Sequence, residues 1–156
     1  MSVAITFKEF LQNKGIEFDV IEHSRTDSAL RTSEAMHVPG DKMAKSVLVG
    51  DDQSYLMVVI PATHRLQFER LKRLTGRELE LIEEDELSDA FADCEPGSVP
   101  PSGQPYGIET LLDRSLADQP EIYFEAGDHS LVIRVSRQQF LSLLGDAEPV
   151  NVSEHI

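Results

Sequence analysis

The feature that most constrains the fold is a pair of β-rich runs, 45–50 and 55–60, separated by the polar segment Asp51-Asp52-Gln53. Two such runs around a short turn predict a β-hairpin. The second run, Tyr55-Leu56-Met57-Val58-Val59-Ile60, is apolar at both alternating positions. This pattern is typical of a central strand that is buried on both faces.

Capping residues, apolar periodicity and glycine stops predict helices around this hairpin. The predicted helices are 6–13, opened by a capping box from Thr6 to Glu9; 32–37; 63–74, capped by Thr63 and burying Leu66, Leu71 and Leu74; 85–91; and 136–144, opened by a second capping box. Further strands are predicted at 18–22, 79–82, 108–112, 122–125 and 131–135. This order predicts a mixed α/β fold in which a curved mixed β-sheet or partial barrel is surrounded by helices.

The length of 156 residues predicts a single domain over 1–156, with a core at about 5–145 and an acidic tail at 146–156. No apolar run reaches the roughly 18 to 20 residues that a membrane helix needs, and no leader pattern opens the chain, so we expect a cytoplasmic protein without a membrane partner. The one cysteine, Cys94, excludes an internal disulfide and a Cys-rich zinc site. The histidine spacing indicates no metal site, and we predict no cofactor.

At first sight the net charge of −14 argues against any nucleic-acid partner, and we expect no DNA partner. The charge is unevenly distributed: residues 1–77 hold 11 Lys and Arg against 10 Asp and Glu, whereas residues 78–156 hold 3 against 18. This asymmetry is compatible with one neutral-to-basic working face on an acidic body.

Two features could carry chemistry. Residues 93–107 contain four prolines and three glycines, which predicts a stiff loop. The main-chain N–H groups of Gly97, Ser98 and Val99 could hold a carbonyl or a developing oxyanion, although a rigid connector is the simpler interpretation. Lys45, at the start of the first β-rich run, could direct an ammonium group into a pocket, or could be a solvated lysine at a strand end.

Three motifs together resemble the YbaK/ProX family, which comprises free-standing relatives of the editing domain of bacterial prolyl-tRNA synthetases. They are Lys45 at the start of the hairpin, the G-S-V-P-P segment at 97–101, and Gly127-Asp128-His129 before a strand and a last helix. The resemblance extends from the first helix to about Leu144. It implies a curved mixed sheet wrapped by helices, and hydrolysis of the ester that joins a wrong amino acid to a tRNA.

The resemblance also implies roles for individual residues. Lys45 corresponds to a lysine that the family needs for activity, and the loop corresponds to a G-x-x-x-P segment that shapes the pocket. The implied site residues are Lys45, Gly97, Ser98 and Val99 for catalysis; Ser46, Pro100, Pro101, Gly103 and His129 around the substrate; and Arg65, Arg70, Lys72 and Arg73 for tRNA phosphates. Ser46 and Ser102 differ from the residue types common in the family, which affects the size and polarity of the pocket.

The predicted function is a trans-editing deacylase for a mischarged tRNA that carries a small amino acid, acting with or without an aminoacyl-tRNA synthetase as partner. Water or a ribose hydroxyl would attack, with no protein nucleophile. His129 could act as a general base or be an ordinary structural histidine. A catalytically silent module that binds tRNA or a synthetase is the alternative, and a covalent hydrolase using Cys94 or Ser98 has little support because no base accompanies either residue.

Overall fold

A computed structural model describes residues 5–23, 26, 28–94, 99–125, 127–128, 130–145 and 147–156. The helices in these ranges are α1 (Ile5–Lys14), α2 (Ala29–Ala35), α3 (Phe68–Thr75), α4 (Glu84–Ala90), α5 (Arg114–Ala117) and α6 (Arg137–Leu143). The strands are β1 (Asp19–Glu22), β2 (Met43–Gly50), β3 (Tyr55–Pro61), β4 (His64–Leu66), β5 (Glu80–Leu81), β6 (Glu109–Leu112), β7 (Glu121–Glu125), β8 (Leu131–Ser136) and β9 (Ser153–His155). Short 3-10 turns lie at Gly40–Lys42 and Gln104–Tyr106.

The described strands form a seven-stranded mixed sheet in the order β1-β8-β7-β2-β3-β6, with β5 also pairing with β2. The pairs β1/β8, β7/β8, β2/β3 and β2/β5 are antiparallel, whereas β2/β7 and β3/β6 are parallel. The path of the sheet begins at β1 and ends at β6, and these two strands do not pair with each other in the described ranges. The prediction of a mixed α/β fold around a mixed sheet is confirmed, and the sheet is not closed into a barrel.

Helices and loops cover both faces of the sheet. On one face, Phe7 and Leu11 of α1 and Phe140 of α6 pack with Phe124 of β7 in the larger apolar core. The rings of Phe7 and Phe124 meet edge to face with centroids 5.8 Å apart, a geometry that the aromatic quadrupole favours. On the other face, Ala29 and Met36, on and just after α2, pack beside Met43 and Tyr123 in a smaller core. The predicted hairpin is confirmed as β2 and β3, and β3 is buried on both faces.

The predicted helix from Thr63 to Leu74 is wrong at its start. Residues 64–66 form β4, which pairs with β9, and the helix begins only at Phe68 after Gln67. Leu66 and Leu71 are buried as expected, whereas Leu74 is half exposed. Thr63 donates its hydroxyl hydrogen to Asp41 instead of capping a helix.

The segment that we expected to be an acidic tail packs against the body. Val152 is buried, its N–H donates to Asp113 Oδ1 over 3.1 Å, and β9 pairs with β4. The short helix α5, which no sequence pattern predicted, begins beside this contact because Asp113 also caps its first turn through Ser115. Tertiary pairing with a distant segment therefore decides the structure of residues 63–66 and 147–156.

The two predicted capping boxes have different outcomes. At α6, the Ser136 hydroxyl accepts from Gln139 N–H and the Gln139 amide oxygen accepts from Ser136 N–H, as predicted. At α1, the helix begins one residue earlier than expected, and Thr6 N–H donates to Asp93 Oδ2 over 2.9 Å. The predicted short helix at 32–37 begins earlier too, at Ala29, after Ser28 accepts from Arg31 N–H.

The hairpin turn holds an ion pair that makes stability depend on pH. Arg77 donates from Nε and Nη2 to Asp51 over 2.9 and 2.8 Å, and Asp51 Oδ1 also accepts from the N–H groups of Gln53 and Ser54. The Arg77 guanidinium, followed by these N–H groups, holds the pKa of Asp51 well below its usual value. Because the pKa is lower in the folded state, this contribution is present above the unfolded pKa of about 4 and is lost as the pH falls through the folded value.

We therefore expect the stability of Asp51→Asn to change less with pH in the acid range than that of the wild-type protein. The urea midpoint of the wild-type protein should fall more steeply between pH 5 and pH 3 than that of the variant, and the two slopes should agree above pH 6. Glu80→Gln, which neutralises an exposed carboxylate on nearby β5, serves as the control for the change in net charge. Parallel curves for Asp51→Asn and the wild-type protein would contradict the assignment.

Candidate functional site

Strands β7 and β5 pair with the two ends of one edge of the central strand β2. Met43 and Ala44 pair with Tyr123 and Phe124 of β7, and Val49 and Gly50 pair with β5. Leu48 C=O also accepts from Ile82 N–H over 3.2 Å. Between these contacts, residues 45–47 have no strand partner on this side among the described residues, which do not include residue 126 at the end of β7; we call residues 45–47 the gap.

Lys45 lies at the beginning of this gap. Its side chain is half-buried, and Nζ donates to the Ala62 carbonyl over 3.4 Å. Burial lowers the pKa of Lys45 below its ordinary value. No carboxylate of the described residues lies within 4.0 Å of this ammonium. Since the ammonium is partly desolvated and, among the described residues, is bound by a neutral carbonyl alone, its charge is available to an anionic group.

Ser46 lies on the opposite face of β2, because neighbouring side chains on a strand alternate between its faces. Its hydroxyl donates to the Val99 carbonyl over 3.0 Å. This hydrogen bond joins β2 to the Pro-rich loop beside the gap. Val99, which the sequence placed in the catalytic loop, is half-buried and packs against the larger core.

The second half of the loop is rigid and buried. Pro100, Pro101, Ser102 and Gly103 are all buried, and the Ser102 hydroxyl donates to Leu143 C=O over 3.2 Å. Gly103 N–H donates to Thr110 Oγ1 over 2.8 Å. Ser102 therefore connects the loop to the end of α6 rather than lining a polar pocket.

A polar network that sequence reasoning missed anchors both ends of the loop. Asp93 accepts from Thr6 N–H on Oδ2 and from the Tyr106 hydroxyl on Oδ1 over 3.1 Å. Burial opposes ionisation of Asp93, but the hydrogen bonds from Thr6 and Tyr106 outweigh it and lower the pKa of this carboxyl. The sequence shows Asp93 at the start of the Gly/Pro run and Tyr106 near its end. Only the fold shows that these two side chains form a hydrogen bond.

Cys94 belongs to the same network and is a poor nucleophile. Its Sγ lies 3.5 Å from the Tyr106 hydroxyl, and burial raises the pKa of the thiol to about 12. Because the thiolate is the reactive form of cysteine, we expect Cys94 to resist iodoacetamide at pH 7.5 in the folded protein and to react at once in 6 M guanidinium. Cys94→Ala should keep the activity of the wild-type protein. Rapid labelling of the folded protein, or loss of activity in Cys94→Ala, would contradict this assignment.

Two buried acids at the end of β7 were also missed. Glu125 follows the last residue of β7 that pairs with β2, and its Oε1 accepts from the Thr32 hydroxyl over 3.3 Å. Asp128 is buried, and its Oδ1 accepts from the N–H groups of Ser130 and Leu131. The sequence assigned no role to either carboxylate, although Asp128 belongs to the Gly127-Asp128-His129 motif.

The basic residues that the sequence assigned to tRNA do not form one free surface. Arg70 is bound to Glu154 at 2.5 Å and Lys72 to Glu78 at 2.7 Å. Arg73 donates only to Glu69 C=O, and Arg65 is exposed on β4. Of the four, Arg65 and Arg73 have no carboxylate partner within the described ranges.

Three predicted site residues, Gly97, Ser98 and His129, lie outside the described residues. In the part of the chain that the structure covers, no group of three or more His, Cys, Asp or Glu side chains is arranged to hold a metal ion. No described helix has both the length and the apolar character needed to cross a membrane.

Solved structures share the fold of this chain. The chain superimposes with a TM-score of 0.83 and 22% identity on a “putative trans-editing enzyme for prolyl tRNA synthetase”, covering 97% of this chain and 96% of that one. A scaffold protein used for computational grafting of linear epitopes gives a TM-score of 0.84 at 22% identity, with 98% and 97% coverage. A putative signal transduction protein from Marinobacter aquaeolei gives 0.75 at 18% identity, where this chain covers 31% of a longer protein.

The aminoacyl-tRNA editing domain family matches residues 23–143, and the chain belongs to this family. The match includes all of β2, the Pro-rich loop and β7, so the elements around the gap are family elements. It confirms the family resemblance that the motifs indicated. No curated protein matches the chain.

Proposed function

We propose that this protein is an aminoacyl-tRNA deacylase that hydrolyses, in trans, the ester of a mischarged tRNA carrying a small amino acid. Family membership supports an editing role. The observation that carries the proposal is Lys45: a half-buried ammonium whose one hydrogen-bond partner among the described residues is the Ala62 carbonyl, on β2 just beyond its last pair with β7.

The reaction requires the protein mainly to position the ester and to supply a positive charge. An aminoacyl ester is already activated, so water can attack its carbonyl carbon when the ester is held in place. The negative charge that develops on the carbonyl oxygen is stabilised by the Lys45 ammonium. The tetrahedral intermediate then breaks the bond to the ribose oxygen, which takes a proton from solvent, and the free amino acid and tRNA are released.

The loop supplies shape rather than a nucleophile. Pro100, Pro101 and Gly103 are buried, so the wall that they support beside Ser46 resists deformation. A wall that cannot move aside favours a substrate with a small side chain. Editing of small amino acids is needed because a synthetase gains only ~1–3 kcal/mol of discrimination per methylene, so small wrong residues escape its first selection. The amides of Gly97, Ser98 and Val99, and a role for His129, remain predictions from the sequence.

Contact with the tRNA body rests on few charges. Arg65 and Arg73 are exposed without a carboxylate partner in the described ranges, whereas Arg70 and Lys72 are neutralised by Glu154 and Glu78. Binding should therefore be weak and sensitive to salt. A synthetase that delivers the tRNA would compensate for this weakness.

The test is deacylation of tRNAs charged with alanine, serine, threonine, cysteine or proline, at low salt. We expect fast release of one small amino acid by the wild-type protein and by Lys8→Ala, which removes an exposed lysine on α1, and strongly reduced release by Lys45→Ala. If every charged tRNA stays intact while the protein still binds tRNA or a synthetase, the protein is a binding module and the proposal fails.

A further inference from the structure

A small two-stranded sheet covers the large sheet beside Lys45. Lys45 lies directly opposite Ile60 of β3, so these two side chains share one face of the large sheet. On that face, Ile60 packs in one apolar core with Leu66 of β4 and with Val152, the residue before β9. The pair of β4 and β9 therefore lies on the same face as the Lys45 side chain.

His64 points from β4 toward this face. Side chains alternate along a strand, so His64 lies on the same side of β4 as the buried Leu66, whereas Arg65 is exposed on the other side. The Ala62 carbonyl, which accepts from Lys45 Nζ, lies two residues before His64. The imidazole and the ammonium are therefore neighbours, connected by the turn between β3 and β4.

A buried serine orients the imidazole of His64. Nδ1 lies 2.9 Å from Ser153 Oγ, and the ring meets that of His155 edge to face with centroids 5.5 Å apart. Because a hydroxyl can accept as well as donate, Ser153 can accept from Nδ1–H whether Nε2 carries a proton or not. Among the described residues, Nε2 has no hydrogen-bond partner, so this nitrogen is the one that can meet a ligand.

We infer that His64 carries the proton in the hydrolysis of the ester. This inference rests on the proposed function and adds to it a second catalytic residue. As the oxygen of the attacking water bonds to the ester carbonyl carbon, one proton of that water passes to Nε2 of His64. When the bond from this carbon to the ribose oxygen breaks, the same proton passes from Nε2 to the ribose oxygen, which then needs none from solvent.

Lys45 and His64 have separate tasks in this scheme. The ammonium stabilises the charge on the carbonyl oxygen, whereas the imidazole moves the proton between the two other oxygens of the reacting centre. His64 belongs to the part of the chain where strand pairing replaced the expected helix, so a helical interpretation of residues 63–74 places it on the wrong element.

The surroundings of His64 keep its imidazole in the basic form. Burial is the main cause that lowers the pKa of His64 below its ordinary value, and the basic groups of His155 and Lys45 act in the same direction. The carboxylates of Asp113 and Asp41 oppose this shift but do not outweigh burial. The ring is therefore neutral at pH 7 and ready to accept a proton.

The first test compares His64→Asn with His155→Asn in deacylation of the mischarged tRNA that the wild-type protein hydrolyses. The asparagine amide at position 64 keeps a partner for Ser153 but has no atom at the place of Nε2. Since general acid–base catalysis contributes about 10²–10⁴ to a rate, we expect His64→Asn to lower kcat about 100-fold or more, with little change in KM. His155→Asn, a change at the exposed member of the ring pair, should keep the wild-type rate. A folded His64→Asn with the wild-type rate would overturn the inference.

The pH profile is a readout that a purely structural histidine would not change. For the wild-type protein, kcat/KM should fall on the acid side as His64 becomes protonated, with an apparent pKa below about 6.5. This acid limb should be missing from the residual activity of His64→Asn and present in His129→Asn. If the limb is the same in His64→Asn as in the wild-type protein, or is lost in His129→Asn alone, the inference is wrong.

A further measurement does not depend on the folding of any variant. In a ¹³C- and ¹⁵N-labelled wild-type protein, pH titration of the His64 ring resonances gives the pKa of this one imidazole. The pH dependence of kcat/KM reports the essential groups of the free enzyme, so we expect this pKa to equal that of the acid limb. Two clearly different values would overturn the inference.

The outcomes separate this inference from the proposed function. If the wild-type protein hydrolyses a mischarged tRNA and Lys45→Ala does not, while a folded His64→Asn remains fully active, His64 only supports the fold and the deacylase stands. If the wild-type protein hydrolyses none of the mischarged tRNAs, the proposed function fails and the inference fails with it.

Discussion

Replacement of Lys45 by alanine is expected to lower kcat/KM for the preferred mischarged tRNA by a hundredfold or more. Loss of one electrostatic donor to a developing oxyanion costs about 2.7–4 kcal/mol of transition-state stabilisation. Burial partly desolvates the Lys45 ammonium, and in the part of the chain that the structure describes it is bound by the Ala62 carbonyl and by no carboxylate, so its charge is expected to act on the substrate. The measurement is initial-rate deacylation with tRNA concentration varied.

Two controls separate charge from packing. Lys45→Met keeps most of the aliphatic stem and should be as inactive as alanine, whereas Lys8→Ala should behave like the wild-type protein. The thermal midpoints of the Lys45 variants should equal or exceed the wild-type value, because an ammonium that is costly to bury has been removed. A loss of less than threefold in kcat/KM for a folded Lys45→Ala would exclude this lysine from the chemistry.

Gly103→Ala should have the largest effect on stability among single-methyl additions in the loop. A Cβ at this position would overlap the Ile108 carbonyl oxygen and lie 2.6 Å from Thr110 Oγ1. The main chain of Gly103 also bonds to Thr110, Tyr106 and Ile108, so the loop cannot move aside without breaking these hydrogen bonds. We expect a loss of about 3 kcal/mol, which combines overpacking with lost hydrogen bonds.

For a domain of this size, that loss corresponds to a fall in Tm of about 6–12 °C. Gln104→Ala, a change at the exposed neighbouring residue, should leave Tm within about 2 °C. Deacylation by Gly103→Ala should fall even at temperatures where the protein is folded, since Gly103 supports the wall that meets Ser46. Unchanged stability in Gly103→Ala would mean that residues 103–110 have a different arrangement.

Sequence patterns correctly predicted those elements of the fold that depend on a few adjacent residues. The apolar run of β3, the capping box of α6 and the Gly/Pro loop each depend on a few adjacent residues, and each is present. Residues 64–66 show where this reasoning fails. Thr63 is a good capping residue, but β9 offers residues 64–66 partners that lie 87 to 91 positions further along the chain, and strand pairing prevails over helix propensity.

The candidate site was predictable by residue type but not by arrangement. Lys45 and the loop carry recognisable motifs, whereas the pairing of β2 with β7 at one end and with β5 at the other depends on distant segments. The length of a strand depends on where its neighbours turn away, and no pattern within residues 43–50 encodes that. The ion pairs of Arg70 with Glu154 and of Lys72 with Glu78 were unpredictable for the same reason. The sequence of the helix shows the two cations, but it does not show which acids outside the helix will contact them.

The pairing of β4 with β9 has a consequence for how the protein is made. Residues 64–66 leave the ribosome long before residues 153–155, and until the later segment emerges they have no strand to bond to. Closure of such a long loop is slow relative to formation of the β2/β3 hairpin. We therefore expect the nascent chain to hold a formed hairpin beside a β4 that stays unpaired until the C-terminal segment is synthesised.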